Sequence, residues 1–364
     1  MTIAFLATGD EIVQGDTLDT NSHHLAHALN SEGLGVGLHL SCSDDEAEIY
    51  QCIEFLAKQH QVIILIGGLG PTSDDRTRYA LSRYLKNPLK EFPEALTHIQ
   101  NRLNQTNLSL NTGNKQQAMF PATAVLLPNP NGTAMGCYVE HDNKLFIMLP
   151  GPPRECLPMF NQHVLPILQK TKHHTNQLLK WPLFGVAESE IAEAIDEALQ
   201  GINCKTGYRL DTPYVECKVW AEPQLVATIT EILQPIIKPH LLTNSGKKAS
   251  EELIELVQQR QKPIVILDEV TGGLLQSLIQ RPETYSLIKF HELNRALLHF
   301  HVCGLYEYWS KQPNKGQTSL AIFYSHNRFE GKETHVLPHR SPLVVYYAAE
   351  LISSRLLHLI NQLH

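Results

Sequence analysis

Short apolar runs alternate with stretches whose apolar positions recur every three to four residues. A strand is expected at Ile3–Thr8, then a helix over 20–32 with Leu25, Ala28 and Leu29 on one face. A second strand over 35–41 precedes a helix over 45–58, where Ile49, Cys52, Ile53 and Leu56 share a side. The continuous β-branched run Val62–Ile66 reads as a buried strand. Strand and helix in strict alternation imply a parallel sheet covered on both faces, with any ligand at the carboxyl ends of its strands. Two of those ends read Thr8-Gly9-Asp10-Glu11 and Gly67-Gly68-Leu69-Gly70-Pro71-Thr72-Ser73-Asp74-Asp75.

A break is expected after Pro150-Gly151-Pro152-Pro153 and a helix to about Gln169, with a polar linker over 170–177. Beyond it, strands over 180–184 and 215–221 and helices over 188–199 and 224–237 suggest a small α+β module. A third segment offers helices over 250–260 and 273–279, strands over 263–267 and 319–324, and a closing helix over 341–363. The expected division is therefore 1–170, 178–244 and 246–364, consistent with about 150 residues per domain in a chain of 364.

Composition narrows the classes. Apolar residues are 43% and charged residues 18%, which excludes a mainly disordered chain. A net charge of -7 offers no overall basic field for a phosphate backbone, so nucleic acid is not an expected partner. The seven cysteines are scattered without a C-x-x-C pair, as in a reducing cytoplasm. Asp10 and Glu11 interrupt the first apolar segment too early for a secretory leader. No run reaches the roughly 18 apolar residues of a membrane span.

The glycines of 67–70 permit a sharp turn whose N–H groups could approach an anion. The spacing is neither that of a Walker loop nor of a dinucleotide fingerprint. Asp74 and Asp75 would repel a phosphate unless a divalent cation lay between, so one carboxylate is expected to work with metal and the other to cap the helix beginning near Arg76 or Thr77. Asp10 and Glu11, at the neighbouring strand end, complete a candidate metal set of Asp10, Glu11, Asp74 and Asp75, suited to hydrolysis of a phosphate ester or anhydride. Asp19 or Thr20 could equally cap the next helix.

TGDEIVQGDTLDTN, IGGLGPTSDDRT, NKQQAMFP, NPNGTAMG and LPGPPRE, in this order, resemble the amino-terminal domain of the CinA (competence/damage-inducible protein A) family, itself similar to molybdopterin-binding domains. The resemblance implies an α/β fold with a three-layer parallel-sheet domain, a small KH-like α+β middle domain and an α/β deamidase-like end. It implies metal-dependent hydrolysis of ADP-ribose or a related nucleotide diphosphate to AMP and a sugar phosphate, with Mg, Mn or Co, in a cytoplasmic homodimer. Asp10, Glu11 and Asp75 would then be catalytic. Thr8, Gly9, Asp19, Asn21, Gly67, Gly68, Gly70, Pro71, Thr72, Asn131, Gly132, Thr133 and Gly136 would bind substrate. Lys115 would replace the arginine that similar sequences carry in N-R-K-Q-A. The alternative reading is a protein that holds a nucleotide or molybdopterin in the same crevice without hydrolysing it.

The end of the chain departs from the family. DEVTGGLLQSLI resembles the deamidase motif ESCTGG, but Glu269 stands at the serine nucleophile and Thr271, Gly272 and Gly273 remain, so nicotinamide mononucleotide deamidation is expected to be absent. The middle segment lacks the GXXG loop with which KH modules clamp nucleotides. His23 and His27 have chelating i, i+4 spacing without an obvious third ligand, and His173-His174 fall in the linker.

Overall fold

The computed structural model describes residues 2–105, 107–170, 176–290, 298–311, 316–326, 329–338 and 343–362. The chain divides into two compact units, Met1–Leu178 and Leu179–His364. His173 and His174 lie outside the described residues, as do most of the expected linker and both ends of the expected closing helix.

The first unit begins β1 (Ile3–Thr8), α1 (Asp10–Val13), α2 (Thr20–Ser31), β2 (Val36–Cys42), α3 (Glu46–Ala57), β3 (Val62–Ile66) and α4 (Thr77–Leu85). It continues β4 (Leu89–Glu91), α5 (Pro93–Gln105), α6 (Thr112–Gln116), β5 (Met119–Pro121), β6 (Val125–Leu127), β7 (Gly136–His141), β8 (Lys144–Leu149), α7 (Pro153–Met159) and α8 (Leu165–Lys170). Among the described residues, the main sheet has the order β2-β1-β3-β8-β7-β6. Its first four strands are parallel, and β7 and β6 are added antiparallel.

Period-two geometry makes two cores from one sheet. Ala4, Leu6, Ile63, Leu65, Phe146 and Met148 point into the layer that holds α3, α4 and α5. The intervening Ile3, Phe5, Val62, Ile64, Ile147 and Leu149 point into the opposite layer with α2 and α7. Every residue of β1 and β3 is buried, so neither strand shows polar alternation in sequence. Cys42 and Cys137 join the first core as small apolar groups, and burial raises both thiols above their ordinary range.

The second unit contains β9 (Gln177–Phe184), α9 (Glu188–Ala198), β10 (Cys204–Asp211), β11 (Tyr214–Ala221) and α10 (Val226–Ile237), with strand order β10-β11-β9. There follow α11 (Ala249–Arg260), β12 (Ile264–Asp268), α12 (Leu274–Ile279), β13 (Ile288–Phe290), β14 (Leu298–Gly304), α13 (Tyr306–Trp309), β15 (Gln317–His326), β16 (Phe329–Pro338) and α14 (Val344–Gln362). Their sheet has the order β13-β12-β14-β15-β16. The two segments keep separate apolar cores within the one unit. Between them the buried Glu350 carboxylate accepts from Tyr214 Oη at 2.7 Å, Ser250 N at 3.0 Å and Ser250 Oγ at 2.6 Å.

Candidate functional site

A cleft of about 460 Å³ opens where β1, β3 and β8 end, lined from Thr8, Ile66 and the turn at Pro150. The chain leaves β1 for β2 on one side while β3 lies on the other, so the cleft occupies the topological switch point, where an open parallel sheet cannot fill its own crevice. Thr8, Gly9, Glu11, Asp19, Asn21, Gly67, Gly68, Gly70, Pro71, Thr72, Asp74, Asp75 and Thr133 all line it.

The glycine loop is held from both sides. Gly67 has φ 104, and a Cβ there would meet the Thr8 carbonyl, so only glycine lets β1 and the loop approach so closely. The Asp75 carboxylate accepts from Gly70 N at 2.6 Å, Thr72 N at 2.8 Å and Thr72 Oγ1 at 2.5 Å. From behind, the wholly buried Arg78 donates to the carbonyls of Leu69 at 2.7 Å and Gly70 at 3.1 Å. Burial lowers this guanidinium to about 10 against the opposing pull of Asp75. Gln116 Nε2 donates to the Thr72 carbonyl at 2.7 Å, and Gln117 Nε2 donates to the Leu69 carbonyl at 3.3 Å and to Thr133 Oγ1 at 3.2 Å. A fixed Asp–loop–Arg sandwich results, and charge-assisted bonds of this kind are among the stronger ones available.

This geometry corrects several expectations. Neither Asp74 nor Asp75 caps a helix: α4 begins at Thr77, its N-cap is Arg76 with no side-chain cap bond, and Asp75 turns back onto its own loop. The loop N–H groups of Gly70 and Thr72, which the turn was expected to offer an anion, already hold that carboxylate. Asp10 is not in the cleft lining; its carboxylate accepts from Asp44 N at 3.2 Å while its own N–H donates to Asp44. Lys115 is also outside the lining, although it immediately precedes the two glutamines that reach the loop. Asn131, Gly132 and Gly136 are structural neighbours of the cleft. The buried Asn129 side chain accepts from Asn131 N and Gly132 N, both at 2.9 Å, and Asn131 donates to the Arg154 carbonyl at 2.6 Å. Gly136 admits the close approach of β7 to the Met148 carbonyl on β8.

Asp19 caps α2, accepting from Ser22 N at 3.0 Å, and still borders the cleft. The next residue but one, Asn21, donates to the Gly151 carbonyl at 2.7 Å, while its buried Oδ1 on the cleft wall has no partner among the described residues. An acceptor left unsatisfied in such a place suits a ligand donor.

Sequence reasoning missed Asp44, Arg78, Gln117 and Glu155. Asp44, at the end of β2, stands among the acidic groups at the cleft mouth. Burial raises its carboxyl, a hydrogen bond from Asp10 N–H works against that, and the charges of Asp10, Glu11 and Asp74 add to the rise. A hydrogen bond from Thr72 lowers Asp74. Glu155 is buried and accepts from Asn129 Nδ2 at 2.8 Å. The signal for Arg78 was a cation at an inward helical position of α4, which periodicity alone would discount.

Among the described residues no three His, Cys, Asp or Glu side chains converge into a metal cage, and that includes His23 and His27. Glu11, Asp44 and Asp74 all line the cleft, and the charges of Glu11 and Asp74 bear on Asp44.

In the second unit Glu269 lies 3.1 Å from His301 Nε2. Thr271 donates to Asp268 and accepts from Leu275 N, fixing the strand-to-helix turn. Gly272 and Gly273 have φ 61 and 91, and the ring of Trp309 lies against Gly272 with its Nε1 donating to the Val270 carbonyl at 2.9 Å.

Residues 4–170 match the family described as "Probable molybdopterin binding domain". A competence-damage inducible protein of Caldanaerobacter subterraneus subsp. tengcongensis is 31% identical over 280 residues, covering 75% of this chain and 68% of that protein. A CinA-like protein of Geobacter metallireducens is 31% identical over 287 residues, covering 76% and 69%. A crystal structure of the protein CinA from Thermoplasma acidophilum is 27% identical, covering 46% of this chain and 97% of that one with a TM-score of 0.43.

Proposed function

From the premise that the chain belongs to the CinA family of competence-damage inducible proteins and carries a molybdopterin-binding-like domain over residues 4–170, we propose that its first unit hydrolyses the pyrophosphate of ADP-ribose or a related nucleotide. The products would be AMP and a sugar phosphate. One observation carries this reading: the switch-point cleft sets a rigid glycine loop beside a rim of carboxylates that repel one another. A diphosphate with its cation satisfies both features, since it brings the positive charge the rim lacks.

A divalent ion would arrive on the diphosphate itself and take at most two carboxylates from among Glu11, Asp44 and Asp74, since no three of them converge among the described residues. When bound, that ion would neutralise phosphate charge and lower the pKa of a coordinated water. The chain's own work is positioning. Asp75 and Arg78 keep the loop 67–72 in one conformation, so the phosphates meet a surface that does not have to reorganise. Asn21 Oδ1 accepts a sugar or base donor, and Thr133, aligned by Gln117, lines the wall opposite. Asp75 thereby acts as a positioning residue. For the second unit we propose no deamidation of nicotinamide mononucleotide, because Glu269, engaged with His301, cannot form the acyl intermediate of a hydroxyl.

The test is incubation of the purified chain with ADP-ribose and Mg²⁺, Mn²⁺ or Co²⁺, with chromatographic detection of AMP. Wild type is expected to release AMP, EDTA to abolish it and Asp44→Asn to weaken it by about tenfold or more, in line with loss of one metal ligand. AMP release that persists in EDTA would remove the cation from the reading. No release, with nucleotide or pterin still bound, would leave a non-hydrolytic binding protein. The same preparation given nicotinamide mononucleotide is expected to release no ammonia.

A further inference from the structure

The second unit holds a cavity of about 390 Å³ unlike the first cleft in charge. It is bounded by Lys180 and Pro182 on β9, Arg209 and Asp211 on β10, and the segment 246–251 that leads into α11. At its floor the Glu216 side chain, 8% exposed, carries three cationic groups at once. Lys180 Nζ lies 2.8 Å from one oxygen, while Lys218 Nζ at 2.8 Å and Arg209 Nη2 at 3.1 Å share the other. Arg209 reaches Asp211 as well, at 3.3 Å, and Lys248 Nζ lies 2.8 Å from the same aspartate. Four cations therefore share two carboxylates. Lys247 is matched by Glu255 at 2.7 Å, and Glu251 offsets part of the excess from the rim.

We propose that this cavity is a binding site for a small phosphorylated anion, gripped by Lys180, Arg209 and Lys248. A chain of net charge -7 has gathered Lys180, Arg209, Lys218, Lys247 and Lys248 in one concave place against Asp211, Glu216, Glu251 and Glu255, an excess of one positive charge that a phosphate would take up. Burial tends to raise the Glu216 carboxyl, yet its hydrogen bonds to Lys180 and Lys218 hold it down to about 2. The first N–H groups of α11 are not the anchor: Ala249 N donates to Tyr214 Oη at 3.2 Å and Ser250 N to Glu350. Among the described residues the lining offers no aromatic ring on which a base could stack, so recognition centres on the phosphate. Both free diphosphate and a sugar phosphate present that group, and the volume lies in the range of small-ligand pockets, about 300–1,000 Å³.

Isothermal titration of the full chain with inorganic pyrophosphate in EDTA, and separately with ribose 5-phosphate, tests the assignment. One saturable site per chain is expected, weakening as salt rises. Lys248→Gln and Lys180→Gln are each expected to weaken it by about tenfold, the worth of one charge-assisted hydrogen bond. Glu251→Gln is expected to tighten it several-fold, a gain that misfolding cannot imitate. Lys262→Gln, on the exposed surface away from the cavity, is expected to change nothing. The ligand that binds more tightly names the source of the phosphate. Absence of saturable binding overturns the proposal, as does binding indifferent to Glu251→Gln and to both lysine changes. Binding abolished by Asp75→Asn and untouched by Lys248→Gln would assign it to the first cleft and overturn the proposal equally.

Discussion

At the scale of single residues, the first unit contains polar groups whose environment sets their chemistry more than their identity does. His60 is buried, neither ring nitrogen has a partner among the described residues, and burial lowers its pKa, with Lys144 acting in the same direction. The unfolded chain thus takes up a proton at a higher pH than the folded one. Stability contributed by neutral His60 is complete above its ordinary value of about 6.5 and is lost as pH falls from there toward the lowered folded value. His60→Leu is expected to flatten the acid limb of the stability profile below about pH 6.5, measured as urea midpoints across pH. A slope unchanged by the substitution would assign the acid sensitivity elsewhere, His39 being the next candidate since burial lowers it too. Asp75 teaches the same lesson for the site. Its position after a glycine loop was legible, but its orientation onto Gly70 and Thr72 depends on how the loop closes, which periodicity does not encode.

At the scale of elements, helix boundaries followed capping chemistry that can be read from residue types. Asp45, at the start of the expected helix over 45–58, is the N-cap of α3 and accepts from Ala47 N at 2.9 Å and Glu48 N at 3.0 Å. Asp45→Ala is expected to cost about 1 kcal/mol in chemical denaturation, with Asp45→Ser recovering most of it. Equal losses in the two variants would mean that the cap bonds carry little of the effect. Strands were less evenly visible. β10 is a half-exposed edge whose polar residues mask it, and β14 places His299 and His301 between buried Leu298, Phe300 and Val302, so its alternation is written with histidines. The buried β1 and β3 were found because strands enclosed on both faces need nothing but apolar residues.

At the scale of the molecule, the expected boundary near residue 245 separates two hydrophobic cores without separating two compact units. Glu350, from the closing helix α14, joins Tyr214 on β11 to Ser250 at the start of α11. Burial drives the Tyr214 hydroxyl far up, and the adjacent Glu350 carboxylate adds to this, so the tyrosine stays a donor. Glu350→Ala leaves Tyr214 and Ser250 with unmet buried hydrogen bonds, and a loss of about 3 kcal/mol is expected in the second unit. Trp181 and Trp220 belong to one segment and Trp309 to the other. Single-tryptophan variants are therefore expected to report coincident unfolding in wild type and separated transitions in Glu350→Ala. Coincident transitions in both would show that apolar packing alone couples the cores.

The sequence by itself determined the alternating α/β order of the first unit, the strand ends that carry its chemistry, and the family to which the motifs belong. These depend on local periodicity and on short contiguous runs, which survive in one dimension. Tertiary structure alone decided which carboxylates face the cleft. Asp44 enters from β2, Asp10 turns aside to that residue's backbone, and Arg78 disappears beneath the loop. It likewise gathered Lys180, Arg209 and Lys218 around Glu216 from three strands, and set Lys248, at a helix start, against Asp211. The physical reason is common to both sites: Coulomb forces and burial act through space, between groups whose separation along the chain carries no information about their distance.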